Sequence, residues 1–203
     1  MWKTVKLSSV LSLQNGYAFK SDEYTESGYF VMRITNVQQG YISAHNPKYI
    51  QIKETSTLVK FILQEGDLLV SLTGDVGRVG VINKEHLPAV LNQRVARIIG
   101  ISSEKLDKRF LFLFLNSEVF RKQVEERSYG AAQANVSTKS ILEIEIPLPP
   151  LAEQQRIAEK LDRAFAEIDE VIEIKKREAN ESLQIIEKTL ETTFINAGKG
   201  WRK

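Results

Sequence analysis

Side chains that can form paired hydrogen bonds occur in the polar stretch Tyr129-Gly130-Ala131-Ala132-Gln133-Ala134-Asn135-Val136-Ser137. The carboxamides of Gln133 and Asn135 each offer a donor and an acceptor, and with these groups Gln and Asn read base edges in the major groove of DNA. The same residue types are common in turns and helix caps. The stretch therefore indicates either a nucleic-acid contact or an ordinary turn.

A second exposed stretch, Leu72-Thr73-Gly74-Asp75-Val76-Gly77-Arg78-Val79-Gly80, is rich in glycine. It is not a phosphate-binding P-loop, because no Lys-Ser/Thr pair follows at the required place and the loop does not open a helix. We expect it to be a tight turn between two strands, with Gly74 and Gly77 shaping the loop.

Motifs for catalysis are missing from the chain. It has no Asn/Asp-Pro-Pro-aromatic motif for amino-methyl transfer, no glycine-rich strand-turn-helix for a nucleotide or methyl donor, and no Ser/His/Asp grouping. Glu173-Ile174-Lys175 resembles a nuclease pattern only superficially, since it lies within a charged helical tract. With no cysteine, and with His45 and His86 far apart, we predict neither a metal site nor a bound cofactor.

Composition is that of an ordinary globular protein, with 42% hydrophobic and 27% charged residues among 203. Residues 1–150 hold 18 Lys/Arg and 15 Asp/Glu, a net charge of +3, and residues 151–203 hold 10 and 11, a net charge of −1. The first part is therefore only mildly basic, whereas nucleic-acid binders usually show a stronger excess. The N-terminus lacks a signal-peptide core and no apolar run approaches about 18 residues, so we expect a cytoplasmic protein with no membrane partner.

Short β-branched segments bounded by turn residues predict strands over 29–34, 67–72, 79–82 and 95–99. The segment 107–126 has a helical pattern that directs Phe110, Leu111, Phe114, Leu115 and Phe120 toward a core. We therefore predict an α+β head over residues 1–150, built on a curved, mostly antiparallel sheet with a few helices.

Three prolines, Pro147, Pro149 and Pro150, separate this head from a different kind of sequence. Prolines within four positions cannot lie inside a helix, and they stiffen the chain that enters one. Between Leu151 and Asn196 there is neither proline nor glycine, which predicts one helix, the arm (residues 151–197), with Gly198 as its stop. Some 46 helical residues would extend about 70 Å.

The arm carries a single apolar stripe with spacings of three and four residues. Such a stripe on so long a helix cannot be buried against a head of this size, so it requires another helix, from a second chain or from a further part of a longer protein. Lys175 interrupts the stripe. It could fix the register of the paired helices, it could be the place where a different partner docks, or its aliphatic stem could lie along the contact between the helices while its amine reaches water. The predicted pairing residues are Ile157, Leu161, Phe165, Ile168, Ile172, Ala179, Leu183, Ile186, Leu190 and Phe194.

Several segments together resemble the specificity subunit of type I restriction–modification systems. The most specific is the junction from Ile146 to Asp162, with its prolines, Glu153-Gln154, Ile157 and Leu161. Supporting segments are Gly16-Tyr17-Ala18-Phe19-Lys20-Ser21, Gly66-Asp67-Leu68-Leu69-Val70-Ser71 with Gly74, and Leu91-Asn92-Gln93-Arg94. The resemblance covers nearly the whole chain.

The resemblance implies that the head is one target recognition domain, which reads half of a split site in double-stranded DNA. It also implies that two arms pack as an antiparallel coiled coil and set the distance between two heads. A separate methyltransferase subunit would bind S-adenosylmethionine and methylate an adenine flipped from the helix, and a motor–nuclease subunit could join. This chain would itself be non-catalytic.

The family carries its DNA contacts on variable loops of the head, so individual residues are chosen by their chemistry. We predict base reading by the Asn, Gln and some Arg side chains, and phosphate contact by Lys20 and the other Arg side chains. For each residue a turn, cap or ordinary surface role remains the alternative. The candidates are Lys20, Arg33, Asn36, Thr73, Arg78, Asn92, Gln93, Arg94, Tyr129, Gln133 and Asn135.

The segment 198–203 raises a further expectation, because Gly200-Trp201-Arg202-Lys203 echoes Met1-Trp2-Lys3. A second copy of head and arm would begin here if the chain were the N-terminal half of a longer subunit. The alternative is a half-subunit that forms a homodimer. Two other function classes stay open: a coiled-coil adaptor without a DNA role, and a stand-alone nuclease with an unrecognised site.

Overall fold

The computed structural model describes residues 2–53, 56–129 and 134–200, with side chains up to residue 195. Its strands are β1 (Thr4–Lys6), β2 (Ser12–Asn15), β3 (Tyr29–Met32), β4 (Tyr49–Ile50), β5 (Leu68–Ser71), β6 (Val79–Val81), β7 (Ala89–Leu91), β8 (Val95–Ile99) and β9 (Glu145–Pro147). The α-helices are α1 (Lys108–Leu115), α2 (Glu118–Glu126), α3 (Thr138–Leu142) and α4 (Leu151–Gly200). Short 3-10 helices occupy Leu7–Ser9, Ser21–Glu23, Thr57–Phe61 and Lys84–His86.

Within the described residues these strands form three open sheets rather than one curved sheet. Their orders are β1-β9, β2-β8-β5-β6 and β4-β3-β7, and every pairing is antiparallel except that of β3 with β7. The prediction of an α+β fold with mostly antiparallel strands and a long helix is thus confirmed. The division into separate sheets depends on long-range pairing, which the local residue pattern does not encode.

The sheet β4-β3-β7 is buried on both faces, which explains its uninterrupted apolar sequence. Alternate residues point to opposite sides of a strand. Phe30 and Met32 therefore pack into one buried cluster with Leu69 and Ile82, whereas Val31 packs into a second cluster with Phe19, Ile50 and Val90.

The helical segment predicted over 107–126 is two helices, not one. Asp107 caps α1 by accepting the amide hydrogen of Phe110 at 2.8 Å. Ser117 ends this helical run and starts the next: its hydroxyl donates to the Phe114 carbonyl at 2.6 Å and accepts from the Phe120 amide at 3.3 Å. A serine that bonds its own backbone in this way competes with helix continuation.

The core residues predicted for this segment are confirmed. Phe110, Leu111, Phe114, Leu115 and Phe120 are all buried. The Phe114 and Phe120 rings meet edge to face with centroids 5.9 Å apart, an arrangement that aromatic rings favour. This contact joins α1 to α2 across the break at Ser117.

The chain divides into two compact units, Met1–Arg156 and Ile157–Lys203. The first unit includes β1 and β9, whose antiparallel pairing brings Val5 opposite Ile146. It also includes the first turn of α4. The helix continues to Gly200, so Gly198 does not end it as predicted, because a glycine stops a helix only where the backbone turns left-handed.

The side-chain amide of Gln154 has a structural role in the first turn of α4. Its side chain is fully buried, and all of its hydrogen bonds stay within the first unit. The Oε1 atom accepts the amide hydrogen of Asp107 at 2.8 Å, and Nε2 donates to the carbonyls of Lys105 and Pro149, each at 2.8 Å. The amide thus satisfies three backbone groups of two separate segments.

None of the described helices combines the length and the apolar character needed to cross a lipid bilayer. The exposed flank of α4 carries several charged side chains one turn apart, such as Glu173 and Lys176, whose Oε1 and Nζ atoms lie 2.7 Å apart.

The amide bonds of Gln154 lead to the first prediction. Replacing Gln154 by alanine removes the partner of one backbone group each in Lys105, Asp107 and Pro149, and a buried group left unpaired costs about 1–3 kcal/mol. We expect Gln154→Ala to lower the free energy of unfolding by at least about 2 kcal/mol in chemical denaturation. The exposed neighbour provides the control, since Gln155→Ala should change it by no more than about 0.5 kcal/mol. Equal effects of the two substitutions would contradict this role.

Candidate nucleic-acid interface

The strand registers bring the loops that carry the predicted DNA contacts to one edge of the sheets. β3 and β7 run parallel with Met32 opposite Leu91, so both end at this edge. β2 and β5 also end here, since Asn15 lies opposite Ala96 and Ser71 opposite Val95, close to where β8 begins. We call this region the polar edge; it consists of residues 16–20, 33–36, 72–78, 92–94 and the described part of 129–135.

Backbone hydrogen bonds connect these loops directly. The amide of Asn92 donates to the Met32 carbonyl at 3.3 Å, and the amide of Leu72 donates to the Arg94 carbonyl at 3.0 Å. The amide of Val136 donates to the Leu72 carbonyl at 2.9 Å, which connects the segment around Asn135 to the same loops. Loops far apart in sequence therefore form one surface.

Two of the family-like segments are hydrogen-bonded to each other. Tyr17 donates its amide to the Leu91 carbonyl at 3.0 Å, and Gln93 donates to the Tyr17 carbonyl at 2.8 Å. Gly16 permits this approach, since a Cβ placed there would lie 2.1 Å from the carbonyl oxygen of Asn92. The glycine is thus required by a close backbone contact.

Four candidates have exposed side chains at the polar edge: Lys20, Gln93, Arg94 and Tyr129. Tyr129 is 64% exposed and pairs through its backbone with Asn135, at 2.8 Å in both directions. An exposed cation, an amide and an aromatic ring are suited to phosphate contact, base-edge hydrogen bonding and stacking, respectively.

Three candidates are half-buried and already make contacts within the head. Arg33 donates through Nη2 to the Asn46 carbonyl, and Arg78 pairs with Asp75 and donates through Nη1 to Oε1 of Gln38 at 3.1 Å. Asn135 accepts a hydrogen bond from the Thr73 hydroxyl at 3.0 Å. These side chains would have to exchange a contact in order to reach DNA.

The remaining described candidates, Asn36, Thr73 and Asn92, are buried. Asn36 accepts from the Arg33 amide at 3.2 Å and donates to the carbonyls of Ser43 and His45 at 3.0 and 3.2 Å. These bonds use its oxygen and both of its amide hydrogens, so the structure assigns Asn36 to organising its own loop. Thr73 similarly holds Asn135, and the candidate Gln133 lies outside the described residues.

Sequence reasoning did not select Tyr17 or Gln38. Tyr17 is 40% exposed beside Gln93 and stacks edge to face on Phe19, with ring centroids 5.0 Å apart. Tyr17 could have been found from the sequence, because it lies in the family-like segment Gly16–Ser21. No signal in the sequence identified Gln38, because its contact with Arg78 spans 40 positions of the chain.

The glycine-rich loop is the predicted tight turn between strands, joining β5 to β6. Gly74 and Gly77 have positive φ angles of 75° and 79°. A Cβ on Gly77 would also lie 2.9 Å from a methyl group of Val124. Both glycines therefore shape the loop, and the loop in turn presents Arg78.

A cleft of about 870 Å³ lies at the opposite edge, where β8 ends at Ile99 and Gly100 follows. Its wall includes Arg97, whose Nη1 atom donates to Oδ2 of Asp67 at 3.0 Å and whose Nε atom donates to Gln14 at 3.0 Å. This half-buried network ties β2, β8 and the start of β5 together, so Asp67 of the Gly66–Ser71 segment is structural.

Among the described residues, no three His, Asp or Glu side chains gather where they could hold a metal ion.

The predicted pairing residues all lie on α4. Ile157 is half-buried and the others are exposed, from 38% for Leu161 to 72% for Phe194. Lys175 is exposed as well, and its Nζ atom pairs with Glu178 at 2.8 Å. The apolar face of α4 thus has no partner within the described residues of a single chain.

Comparison with known proteins defines the class. The sequence model of the type I restriction modification DNA specificity domain matches residues 1–188. The chain belongs to this family. This confirms the resemblance drawn from the junction and the three shorter segments.

Similar proteins include the specificity subunit of the type I restriction enzyme MjaVIII from Methanocaldococcus jannaschii, 36% identical over 181 residues, with 87% of this chain and 41% of that subunit covered. The specificity subunit of EcoAI from Escherichia coli is 32% identical over 166 residues, covering 79% of this chain and 28% of that subunit. Among solved structures, the HsdS subunit from Thermoanaerobacter tengcongensis shares the fold with a TM-score of 0.61 at 20% identity, covering 83% of this chain and 38% of that one. The chain thus spans less than half the length of these relatives.

The close approach at Gly16 leads to the second prediction. Gly16→Ala should push the Gly16–Ser21 loop away from Asn92 and lower the free energy of unfolding by about 1–3 kcal/mol, as overpacking does. Thermal or chemical denaturation measures this change. Ala18→Ser, at an exposed position two residues further along, should be nearly neutral; an unfolding midpoint for Gly16→Ala equal to that of the parent would refute the contact.

Proposed function

We propose that this chain is a sequence-specific DNA-binding specificity subunit of a type I restriction–modification system and that its polar edge reads one half of a split site. The observation that carries the proposal is that loops ending at one edge are hydrogen-bonded to one another and expose Lys20, Gln93, Arg94 and Tyr129, in a chain of the DNA specificity family. Each comes from a different part of the sequence except the neighbours Gln93 and Arg94, so folding is what makes them a surface.

The exposed residues divide by chemistry. Arg94 can donate two hydrogen bonds to the O6 and N7 atoms of guanine, and the Gln93 amide can bond both N6 and N7 of adenine. Lys20 contributes a positive charge for the phosphate backbone, where most of the affinity for DNA arises. Tyr129 adds a ring and a hydroxyl beside them.

The half-buried residues would act after a change of partner. Arg78 is held by Asp75 and Gln38 in the free protein, and a phosphate or a guanine could replace the Asp75 carboxylate. Because Asp75 lies on the exposed surface, it would then repel a nearby phosphate. An acidic neighbour of this kind opposes binding unless the arginine finds a strong acceptor on the DNA. This requirement would contribute to discrimination between sites.

The chemistry would come from partners. The mildly basic head, with a net charge of +3 over residues 1–150, is weakly equipped to neutralise DNA phosphates alone. A methyltransferase subunit that binds S-adenosylmethionine would add phosphate contacts and methylate an adenine of the site. A motor–nuclease subunit would give the complex its restriction activity, while this chain remains non-catalytic.

The apolar face of α4 would join a second head to the first. An antiparallel partner helix would bury the exposed stripe from Leu161 to Phe194 and hold the two heads at a set distance. That distance would determine the length of the unread spacer between the half-sites. The partner helix is either a second copy of this chain or a further part of a longer one.

Methylation mapping tests the proposed function directly. Co-expression with the methyltransferase subunit of the same system should yield a stable complex, and sequencing that detects modified adenines should find one split motif. Absence of any complex would instead favour an adaptor without a DNA role. Cleavage of DNA by this chain alone with Mg²⁺ would favour the nuclease alternative; we expect none.

Once the motif is known, paired substitutions test the polar edge. Arg94→Ala should weaken binding to the methylated motif by about 1–3 kcal/mol and relax the base preference at one position, as measured by fluorescence anisotropy at fixed salt. Lys84→Ala is the matched control, because Lys84 is exposed and follows β6 at the opposite edge. It removes the same charge, so an equal loss for both variants would place the DNA elsewhere.

A further inference from the structure

Residues 37–42 form a hairpin directly after one of the loops of the polar edge. The two ends of the hairpin pair as an antiparallel bridge, and between them the amide of Gln38 donates to the Tyr41 carbonyl at 3.0 Å. Gln39 and Gly40 make the turn, where Gly40 adopts a positive φ of 88°. We call these residues the Gln38 hairpin.

The backbone of the Gln38 hairpin lies against the start of β6. The amide of Gly40 donates to the Val79 carbonyl at 2.9 Å. A Cβ on Gly80 would lie 2.5 Å from the carbonyl oxygen of Tyr41, so this close approach requires a glycine. Because β6 begins where β5 ends, the hairpin is held at the polar edge beside the glycine-rich loop.

Two adjacent side-chain amides of the hairpin bond different parts of the head. Gln39 donates through Nε2 to Oδ1 and to the carbonyl oxygen of Asn116, at 2.9 and 3.1 Å, beside the break between α1 and α2. Gln38 donates through Nε2 to the Thr35 carbonyl at 2.8 Å, and its Oε1 atom accepts from Nη1 of Arg78 at 3.1 Å. The Gln38 amide is thus fixed at its nitrogen, and its oxygen holds the arginine.

The backbone of Arg78 is fixed as well. Ser71 is buried, and its hydroxyl accepts the amide hydrogen of Arg78 at 3.0 Å and donates to the Asp75 carbonyl at 2.6 Å. An arginine that is ordered before it meets a ligand loses less conformational entropy on binding than a freely rotating one. The contacts with Ser71 and Gln38 therefore prepare Arg78 for a ligand at a defined position.

The two partners of the Arg78 guanidinium are unequal. Asp75 pairs with Nη2, and its side chain is 69% exposed, so water and salt weaken this ion pair. Gln38 is half-buried and uncharged, and its oxygen would lose a donor if the arginine left. We therefore expect a ligand to displace Asp75 and to leave Gln38 in place.

We infer that Gln38 is a positioning residue, which keeps Arg78 oriented toward a guanine of the half-site. A guanidinium has five N–H donors, and the bond to Gln38 uses one hydrogen on Nη1. Displacement of Asp75 from Nη2 frees the edge formed by Nε and Nη2. Two parallel donors of this kind match the O6 and N7 atoms of guanine.

This inference rests on the proposed function and deepens it. Gln38 would act on DNA through Arg78, without touching a base itself. A purely structural role for Gln38 makes a different prediction: its loss would then resemble the loss of Gln39, which secures the same hairpin with the same type of side chain.

The two glutamines therefore supply matched variants for binding assays on the full chain in complex with the methyltransferase subunit. On DNA that carries the motif methylated by this complex, Gln38→Ala should weaken binding about tenfold, as expected when a hydrogen bond to a charged group is lost. It should also relax the base preference at the position that Arg78→Ala relaxes. Gln39→Ala should change neither quantity. The double variant Gln38→Ala/Arg78→Ala should bind no more weakly than Arg78→Ala alone.

A double-mutant cycle in the free protein checks the contact without DNA. In chemical denaturation, the effects of Gln38→Ala and Arg78→Ala on stability should be non-additive, because the two side chains share a hydrogen bond. The effects of Gln39→Ala and Arg78→Ala should add, since no hydrogen bond joins these two side chains within the described residues. Additive effects of Gln38→Ala and Arg78→Ala would overturn the inference at its first step.

Three results on DNA would also overturn it. Equal losses of binding for Gln38→Ala and Gln39→Ala would show a general role in hairpin stability. Additive losses in the Gln38→Ala/Arg78→Ala variant would show that Gln38 acts independently of the arginine. Parent-like binding by Arg78→Ala would show that Arg78 does not read the site. The Arg94→Ala comparison tests the polar edge separately, so failure of this inference is distinguishable from failure of the proposed function.

Discussion

The three-residue connection Asn92-Gln93-Arg94 constrains the whole head. It leaves β7 in one sheet and enters β8 in another, so the two sheets must meet where it turns. Its backbone bonds Met32, Leu72 and Tyr17, which belong to or follow three other strands. The ends of those strands are therefore gathered at one edge, and the loops that extend from them become a single polar surface.

A second constraint acts at the start of α4. The buried amide of Gln154 holds the first turn of the helix on the loop that precedes α1. From Ile157 onward the helix belongs to a separate unit, in which the stripe residues from Leu161 to Phe194 are exposed. The exposed part of the stripe thus begins beyond the turn that Gln154 holds, and not at the prolines before Leu151.

The arrangement suggests a division of labour. The polar edge offers a few exposed side chains above buried Thr73, Asn92 and Asn36, whose side chains form hydrogen bonds within the head. These bonds give the loops of the polar edge a fixed base. The exposed stripe of α4 is a second, apolar surface.

The sequence by itself determined the features that depend on local pattern. The strands near 29–32, 68–71, 79–81 and 95–99 follow from short β-branched runs between turns, and α4 follows from its 3- and 4-residue spacing without proline or glycine. Family membership was recognisable because the junction around Glu153-Gln154 is accompanied by three shorter family-like segments elsewhere in the head.

Only the tertiary structure decided which candidates are exposed. Asn36, Thr73 and Asn92 have the same chemistry as base-reading residues, but burial assigns them to hydrogen bonds within the head. The break at Ser117 and the partition into three sheets were likewise decided by long-range contacts. The physical reason is that residue type specifies what a side chain can bond, whereas strand register and packing determine whether its partner is the protein itself or something outside it.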